Sequence, residues 1–334
     1  ARFTRFFYPT IQNVDTDSRG RASVCVVACR AAWSFWAGKR STRGIEGHMS
    51  QALVTGLNGL SYAFILFLLA AGFSLTFGVM GVLNLSHGAL YVFGGYVGLQ
   101  VIETLDAFWL AIVMAALALA VIGLLLYFFF LKRLYNKVPE QAVLTIGLSY
   151  MIANVILWIW GPRAQITQAP EILTGAIKIG GQGFPIYRLF ICGVGLLVLG
   201  LLWWIQDRTR WGAIIRAGMD NKEMTVSLGV NYGLVSTLVF LLGIALAGVA
   251  GILEAPITGV FPQMGDNLIL LSLIVVVVGG TGYIQGTMLG ALVIGLLDTF
   301  GKAYVPKMAM FFAYIVFLII LLVRPSGLIG RKVF

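Results

Sequence analysis

QDRTRWGAIIRAGMDNKEMTVSLGVN, residues 206–231, is the one sizeable water-compatible island in a chain that is otherwise mostly lipid-compatible. From Met49 onward the chain carries 15 Lys/Arg and 10 Asp/Glu, and seven of these fall here: Asp207, Arg208, Arg210, Arg216, Asp220, Lys222 and Glu223. Charges at this density place the segment in water, because each is costly inside hydrocarbon. Within it, Asp220 is expected to cap the start of a helix, Glu223 to reach back from three residues on, and Gly229 to take the left-handed conformation that ends it. That predicts a two-turn helix over 221–228, marginal by itself in water. Met224 and Leu228 sit one turn apart on one face. Two readings stand side by side: a capped surface turn packed on its own protein, or a segment that docks on a partner.

Everything outward from the island reads as membrane. The chain has 334 residues, 59% hydrophobic and 11% charged, with a mean hydropathy of +0.93. Too little polar surface is present to cover a water-soluble globule. The 41 glycines against nine prolines suit closely packed transmembrane helices, where small residues let backbones approach. At roughly 20 apolar residues per crossing, apolar runs fall near 52–78, 84–102, 107–131, 141–160, 187–205, 234–253, 268–280, 286–300 and 308–323. The expected fold is an all-α polytopic membrane protein of 8–10 transmembrane helices. The runs at 268–280 and 286–300 are short and flank GGTGYIQG, Gly279 to Gly286. This predicts a broken helix whose glycine-rich backbone is buried in protein or lines a wet cavity. The first run is long enough to conceal an extra crossing or half-helix.

The formal net charge of +10 reports topology rather than nucleic-acid binding, since the basic residues sit mostly in short turns between apolar runs. By the positive-inside rule, Lys132, Arg133 and Lys137, the island, and Arg324, Arg331 and Lys332 share the cytoplasmic side. The C-terminus is therefore expected in the cytoplasm and the Pro-containing loop 161–187 outside. Nine crossings put the N-terminus outside, whereas a split first run makes ten. Residues 1–48 differ from the rest, with eight Lys/Arg, three acidic residues and an apolar patch broken by Arg30. They are expected to be a non-native or disordered leader, ahead of a membrane domain over 49–334. Cys25, Cys29 and Cys192 have only His48 and His87 as histidine company, which makes a zinc site or disulfide framework improbable.

Catalytic motifs are absent. No G-x-x-x-x-G-K-[ST], G-x-S-x-G or H-E-x-x-H occurs, so the chain is not expected to be an enzyme or to hold ATP, a metal or another cofactor itself. Polar residues within the runs are the informative ones. Asn58, Asn84, Ser86 and His87 either hydrogen-bond neighbouring helices or line a passage. Asn154, Glu254 and Asp298 pose the same choice. Glu254 is expected at the headgroup level, and Asp298 to pair with Lys302 one turn on. The tryptophans fall mostly at run edges, as interfacial anchors do.

Three ordered stretches together resemble one family. NLSHGALYVFGGY from Asn84, RAGMDNKEMTVSLGVN from Arg216, and VVVVGGTGYIQGTMLGALVIGLLDTF from Val275 followed by RPSGLIGR from Arg324 are similar to the inner-membrane permeases of branched-chain amino acid ABC transporters, the LivH type. The likeness runs from about residue 55 to 331. It implies an importer in the bacterial inner membrane: a LivM-like second permease, two cytoplasmic ATPase subunits that bind the ATP, and a periplasmic binding protein that delivers substrate. The spacing from Glu223 to Gly229 resembles the E-A-A-x-x-x-G coupling signature of importer permeases, with Met224 and Thr225 where alanines are usual. The resemblance thus assigns ATPase coupling to Arg216, Asp220, Glu223, Met224, Leu228 and Gly229. Backbone freedom in alternating access is expected from Gly279, Gly280, Gly282 and Gly286. A urea or short-chain amide permease is the nearest alternative. A stand-alone secondary transporter is the more distant one, and it needs buried charged pairs that the runs scarcely offer.

Overall fold

The protein's computed structural model describes residues 22–81, 83–134, 137–179, 182–324 and 327–328, with side chains from Ser50 onward except those of Ile179 and Met310. The chain divides into two compact units, Ala1–Ala52 and Leu53–Phe334. Of the first, the backbone from Ala22 belongs to helix α1 (Ala22–Met80); the expectation for the leader over 1–21 lies outside the described residues. The island lies in the second unit.

Each of the nine apolar runs forms a helix. They are the 50–80 part of α1, α2 (His87–Leu105), α3 (Phe108–Leu126), α4 (Val138–Trp160), α5 (Ile186–Arg208), α8 (Tyr232–Thr258), α9 (Met264–Gly279), α10 (Ile284–Tyr304) and α11 (Ala309–Val323); α6 (Arg210–Asp220) and α7 (Lys222–Ser227) belong to the island. Among the described residues, six helices are long and apolar enough to cross a membrane: Ser50–Met80, Phe108–Leu131, Val138–Trp160, Ile186–Arg208, Tyr232–Thr258 and Ile284–Tyr304. The first is uninterrupted for 31 residues, so the long first run hides no break. Helix α9, at 16 residues, reaches about 24 Å, short of the roughly 30 Å hydrocarbon layer.

Burial sorts the helices into centre and periphery. Every residue from Ala63 to Ala71 is at most 3% exposed, so this part of α1 is enclosed on all sides, as a helix apolar all round should be. Helix α2 packs on α3, α4, α8 and α9. The peripheral helices each turn one stripe inward, as in α3, where Phe108, Ala111, Ala115, Leu119, Gly123 and Leu126 are buried at helical spacing. Their other faces stay apolar and exposed, with Trp158 at 87% and Val143 at 71%. Such faces suit lipid or another membrane subunit. A π-turn, Tyr127–Leu131, extends α3 and turns Tyr127 and Leu131 inward.

Helix α2 starts later than the sequence pattern suggested. Residues 83–86 are not helical, and His87 Nε2 lies 3.2 Å from the Leu69 carbonyl. Leu69 is eleven residues before the end of α1, or about 16 Å up its axis. The chain therefore leaves α1, turns at Gly81 (φ 67°), and climbs back to mid-depth before α2 begins. At the end of the bundle away from the island, the expected loop 161–187 contains a hairpin of β1 (Ala176–Ile179) and β2 (Gln182–Pro185), antiparallel with Ile177 opposite Phe184. Gln165 in the same loop pairs with Val260 through two backbone hydrogen bonds of 2.9 and 2.8 Å.

Candidate functional site

The island is two helices set against the end of the bundle. Helix α5 stops at Arg208. Thr209 then turns extended (φ −109°, ψ 160°), and its Oγ1 accepts the Gly212 N–H at 3.2 Å, which caps α6. Gly212, Ile215 and Gly218 form the buried stripe of α6. The second break falls at Asn221 (φ −153°, ψ 102°), whose Oδ1 accepts the Met224 N–H at 3.0 Å. The cap of the short helix is therefore Asn221. Asp220, expected in that role, is the last residue of α6, because the extended backbone comes one residue later than the S/T/D/N-x-x-E pattern implied. Glu223 then stands at the second helical position, where a carboxylate favours the helix dipole. Gly229 takes φ 83° as expected.

Helix α7 turns Thr225 inward at 4% exposure and leaves three apolar side chains in the open: Met224 at 63%, Val226 at 50% and Leu228 at 75%. Full burial of such side chains is worth on the order of 1.5–3 kcal/mol each. The base is anchored firmly. Asn231 Oδ1 caps α8 through the Leu234 N–H at 3.2 Å, and the Tyr232 hydroxyl donates to the Val79 carbonyl of α1 at 2.8 Å. The Lys222 ammonium sits 5.8 Å from the Tyr232 ring centroid. Partial burial pulls its pKa below the ordinary lysine value, with Glu223 acting in the opposite direction.

The glycine-rich break lies beside the island. Gly280 (φ 102°) and Gly282 (φ 79°) both occupy the left-handed half of the backbone map. Gly279 and Gly286 approach so closely that a Cβ on Gly279 would overlap the Gly286 carbonyl. Gln206, the last buried residue of α5 at 5% exposure, reaches into the break with both ends of its amide. Its Nε2 donates to the Gly282 carbonyl at 2.7 Å and its Oε1 accepts the Ile284 N–H at 3.3 Å. The Gly282 N–H donates in turn to Ser74 Oγ of α1 at 3.0 Å. Asp207 accepts from Gln285 Nε2 at 3.0 Å and pairs with Arg216 at 3.5 Å, and Arg216 also donates to the Gln206 backbone carbonyl. Leu328 closes the other side of the break, donating its N–H to the Val278 carbonyl at 2.8 Å.

The four residues considered for a passage separate into two places. Asn84, Ser86 and His87 are together, each at most 1% exposed. The Asn84 side-chain oxygen accepts from Ser86 N–H at 3.2 Å and from the Ser86 hydroxyl at 2.6 Å. Asn84 Nδ2 and His87 Nδ1 have no hydrogen-bond partner among the described residues. Asn58 lies eleven residues before Leu69 on α1, and its Oδ1 accepts from Arg188 Nη1 at 2.8 Å. Asn154 Nδ2 donates within its own helix, to the Tyr150 carbonyl at 2.8 Å.

Glu254 lies four residues before the end of α8 and is buried inside the protein at 2% exposure. The Tyr91 hydroxyl of α2 donates to one carboxylate oxygen, and Thr258 Oγ1 donates to the other at 3.1 Å. Asp298 does pair with Lys302, at 2.5 Å, and the same ammonium lies 5.4 Å from the Tyr62 ring centroid. Sequence reasoning missed both Tyr91 and Gln206. Tyr91 sits within the 84–102 run and Gln206 is the first residue of the island, and the signal available for each was a polar group set against apolar neighbours.

Residues 56–321 match the family described as branched-chain amino acid transport system / permease component. The high-affinity branched-chain amino acid transport system permease protein BraD of Pseudomonas aeruginosa is 29% identical over 302 residues, 85% of this chain and 96% of that protein. LivH of Escherichia coli K12, a permease protein of the same description, is 29% identical over 82% of this chain and 94% of that protein. The probable LivH permease of Methanocaldococcus jannaschii is 27% identical over 80% of this chain and 90% of that protein.

Proposed function

This chain belongs to the permease-component family of branched-chain amino acid transport systems, and on that premise we propose that it is the membrane subunit of an ATP-driven importer for branched-chain or other hydrophobic amino acids. It is a multi-pass membrane protein and a transporter subunit rather than an enzyme. The names carried by the three relatives favour branched-chain amino acids over urea or short-chain amides. A chain of this kind, without a phosphate-binding loop of its own, takes its driving force from two separate ATPase subunits. A LivM-like permease completes the pathway beside it, a periplasmic binding protein delivers substrate, and the assembly lies in the bacterial inner membrane. The island and the C-terminus face the cytoplasm.

The observation that carries this reading is the island itself: a firmly seated pair of short helices that holds Met224, Val226 and Leu228 exposed beyond the end of the bundle. Apolar side chains on so small a helix gain nothing in water and gain burial in a partner's groove. Closure of the ATPase pair on ATP would then move α6 and α7, and differential contact with the closed and open pairs supplies the free energy of alternating access. The test is co-purification with the ATPase subunits, followed by ATP hydrolysis in liposomes. The reading expects a stable complex whose hydrolysis rises with leucine-loaded binding protein. A permease that purifies without ATPase subunits and takes up substrate down an ion gradient contradicts it.

A further inference from the structure

We infer that Gln206 is the positioning residue through which movement of the island reaches the α9–α10 break and, beyond it, the central helix α1. The inference rests on the reading that ATPase subunits work at the island, and it adds the route by which their work enters the membrane.

The hydrogen bonds around Gln206 define this route. The Gln206 amide satisfies two backbone groups that no helix can serve. The Gly282 carbonyl lies in the break between α9 and α10, and the Ile284 N–H is one of the first-turn donors of α10. One rigid, planar side chain thus holds both sides of Tyr283 in a fixed relation to the end of α5. The third polar group at the spot, the Gly282 N–H, is held by Ser74, itself buried on α1. A hydrogen-bonded line therefore runs from α5 through the break to α1.

At its other end the line is tied to the island twice. Arg216 of α6 donates to the backbone carbonyl of Gln206 and pairs with Asp207, which also holds Gln285 at the start of α10. Shifting α6 against the bundle pulls on Gln206 and Asp207 first. Gln206 and Ser74 are buried, so parting their bonds would leave polar groups unpartnered, at a cost well above thermal energy. The break must follow. Gly282 supplies the backbone freedom, since its φ of 79° lies in a region that other residues avoid, and Met219 of α6 packs directly against it, so the island also touches the break there.

The alternative is a static brace that adds stability and transmits nothing. The two differ in uptake per ATP hydrolysed, measured on the complete complex with its ATPase subunits and binding protein in liposomes. Gln206→Leu keeps the volume and deletes both bonds. It is expected to lower leucine uptake about tenfold while leaving ATP hydrolysis within about twofold. Gln206→Glu retains an acceptor for Ile284 but sets a carboxylate against the Gly282 carbonyl, and should show the same loss. Ser74→Ala should show a smaller one, and Ser74→Ala with Gln206→Leu should be no worse than Gln206→Leu alone, as links of one chain are non-additive. Should Gln206→Leu not assemble, the other two single variants decide the ratio. An unchanged uptake-to-hydrolysis ratio in the assembling variants, with any loss appearing only as a lower melting temperature, overturns the inference. A wild-type complex without ATP-dependent uptake overturns the importer reading beneath it instead.

Discussion

Gly72 of α1 and Gly243 of α8 meet backbone to backbone: a Cβ on Gly243 would lie 2.6 Å from the Gly72 carbonyl oxygen and 2.7 Å from Thr76 Oγ1. The contact brings the enclosed helix against a second central one at a distance that only glycine permits, the device by which membrane helices pack without a hydrophobic driving force. Because both atoms in the way belong to a rigid backbone or a hydrogen-bonded hydroxyl, Gly72→Ala and Gly243→Ala should each cost about 1–3 kcal/mol. Thermal unfolding in detergent checks this. Gly147→Ala and Gly193→Ala, where the added carbon meets nothing within 4 Å, should leave the midpoint unchanged.

The Asn221 cap gives a local prediction. Removing it with Asn221→Ala costs the short helix about 1 kcal/mol. Amide exchange at Met224 and Thr225 should speed up about fivefold, by the usual relation of free energy to population, while the bundle core is unaffected. Asn221→Asp restores protection. An unaltered exchange rate at Met224 in Asn221→Ala would show that α7 is held by packing alone.

Much of this architecture is legible in the residues. The nine apolar runs, the break at 279–286 and the placement of the island follow from hydrophobic length and charge, which act locally. Three features do not. Asn221 replaces Asp220 as the cap because two adjacent residues can both cap, and the choice depends on where α6 stops, set by its packing against α5 and α8. Helix α2 begins at His87 rather than 84 because the Leu69 carbonyl and Phe73 ring receive that imidazole, a contact eighteen residues away along the chain. Gln206 looked like the edge of the polar island. Its role rests on Gly282, 76 positions on, and nothing in local sequence announces such a pairing.

Buried polar pairs answer to the same logic. Tyr91 and Thr258 are the hydroxyls that serve the Glu254 carboxylate, so Tyr91→Phe leaves a buried acceptor short of a partner. The expected loss is about 1–3 kcal/mol, the range for a buried polar group left without its partner. Glu254→Leu in the Tyr91→Phe background should recover part of it, because both polar partners are then gone. Unfolding midpoints of the single and double variants provide the check, and equal stability of Tyr91→Phe and wild type would place the carboxylate's support elsewhere.

Gly229 should be intolerant for a reason separate from packing, since no atom stands within 4 Å of its missing Cβ. Its φ of 83° is closed to proline, which is fixed near −65°. Gly229→Pro should abolish ATP-driven uptake while the protein still inserts, and Gly229→Asn, which accepts the left-handed region, should retain most of it. Uptake assays with membrane-fraction immunoblots separate the two outcomes.

The claim on which the account turns is that ATPase subunits engage the exposed face of α7. A single cysteine placed at Leu228, in a chain whose own cysteines are replaced, tests it by cross-linking in native membranes. The account predicts a covalent adduct with an ATPase subunit whose yield changes with ATP, and none from a cysteine at Ile172 on the opposite end. Cross-linking from Ile172 and silence at Leu228 would contradict it.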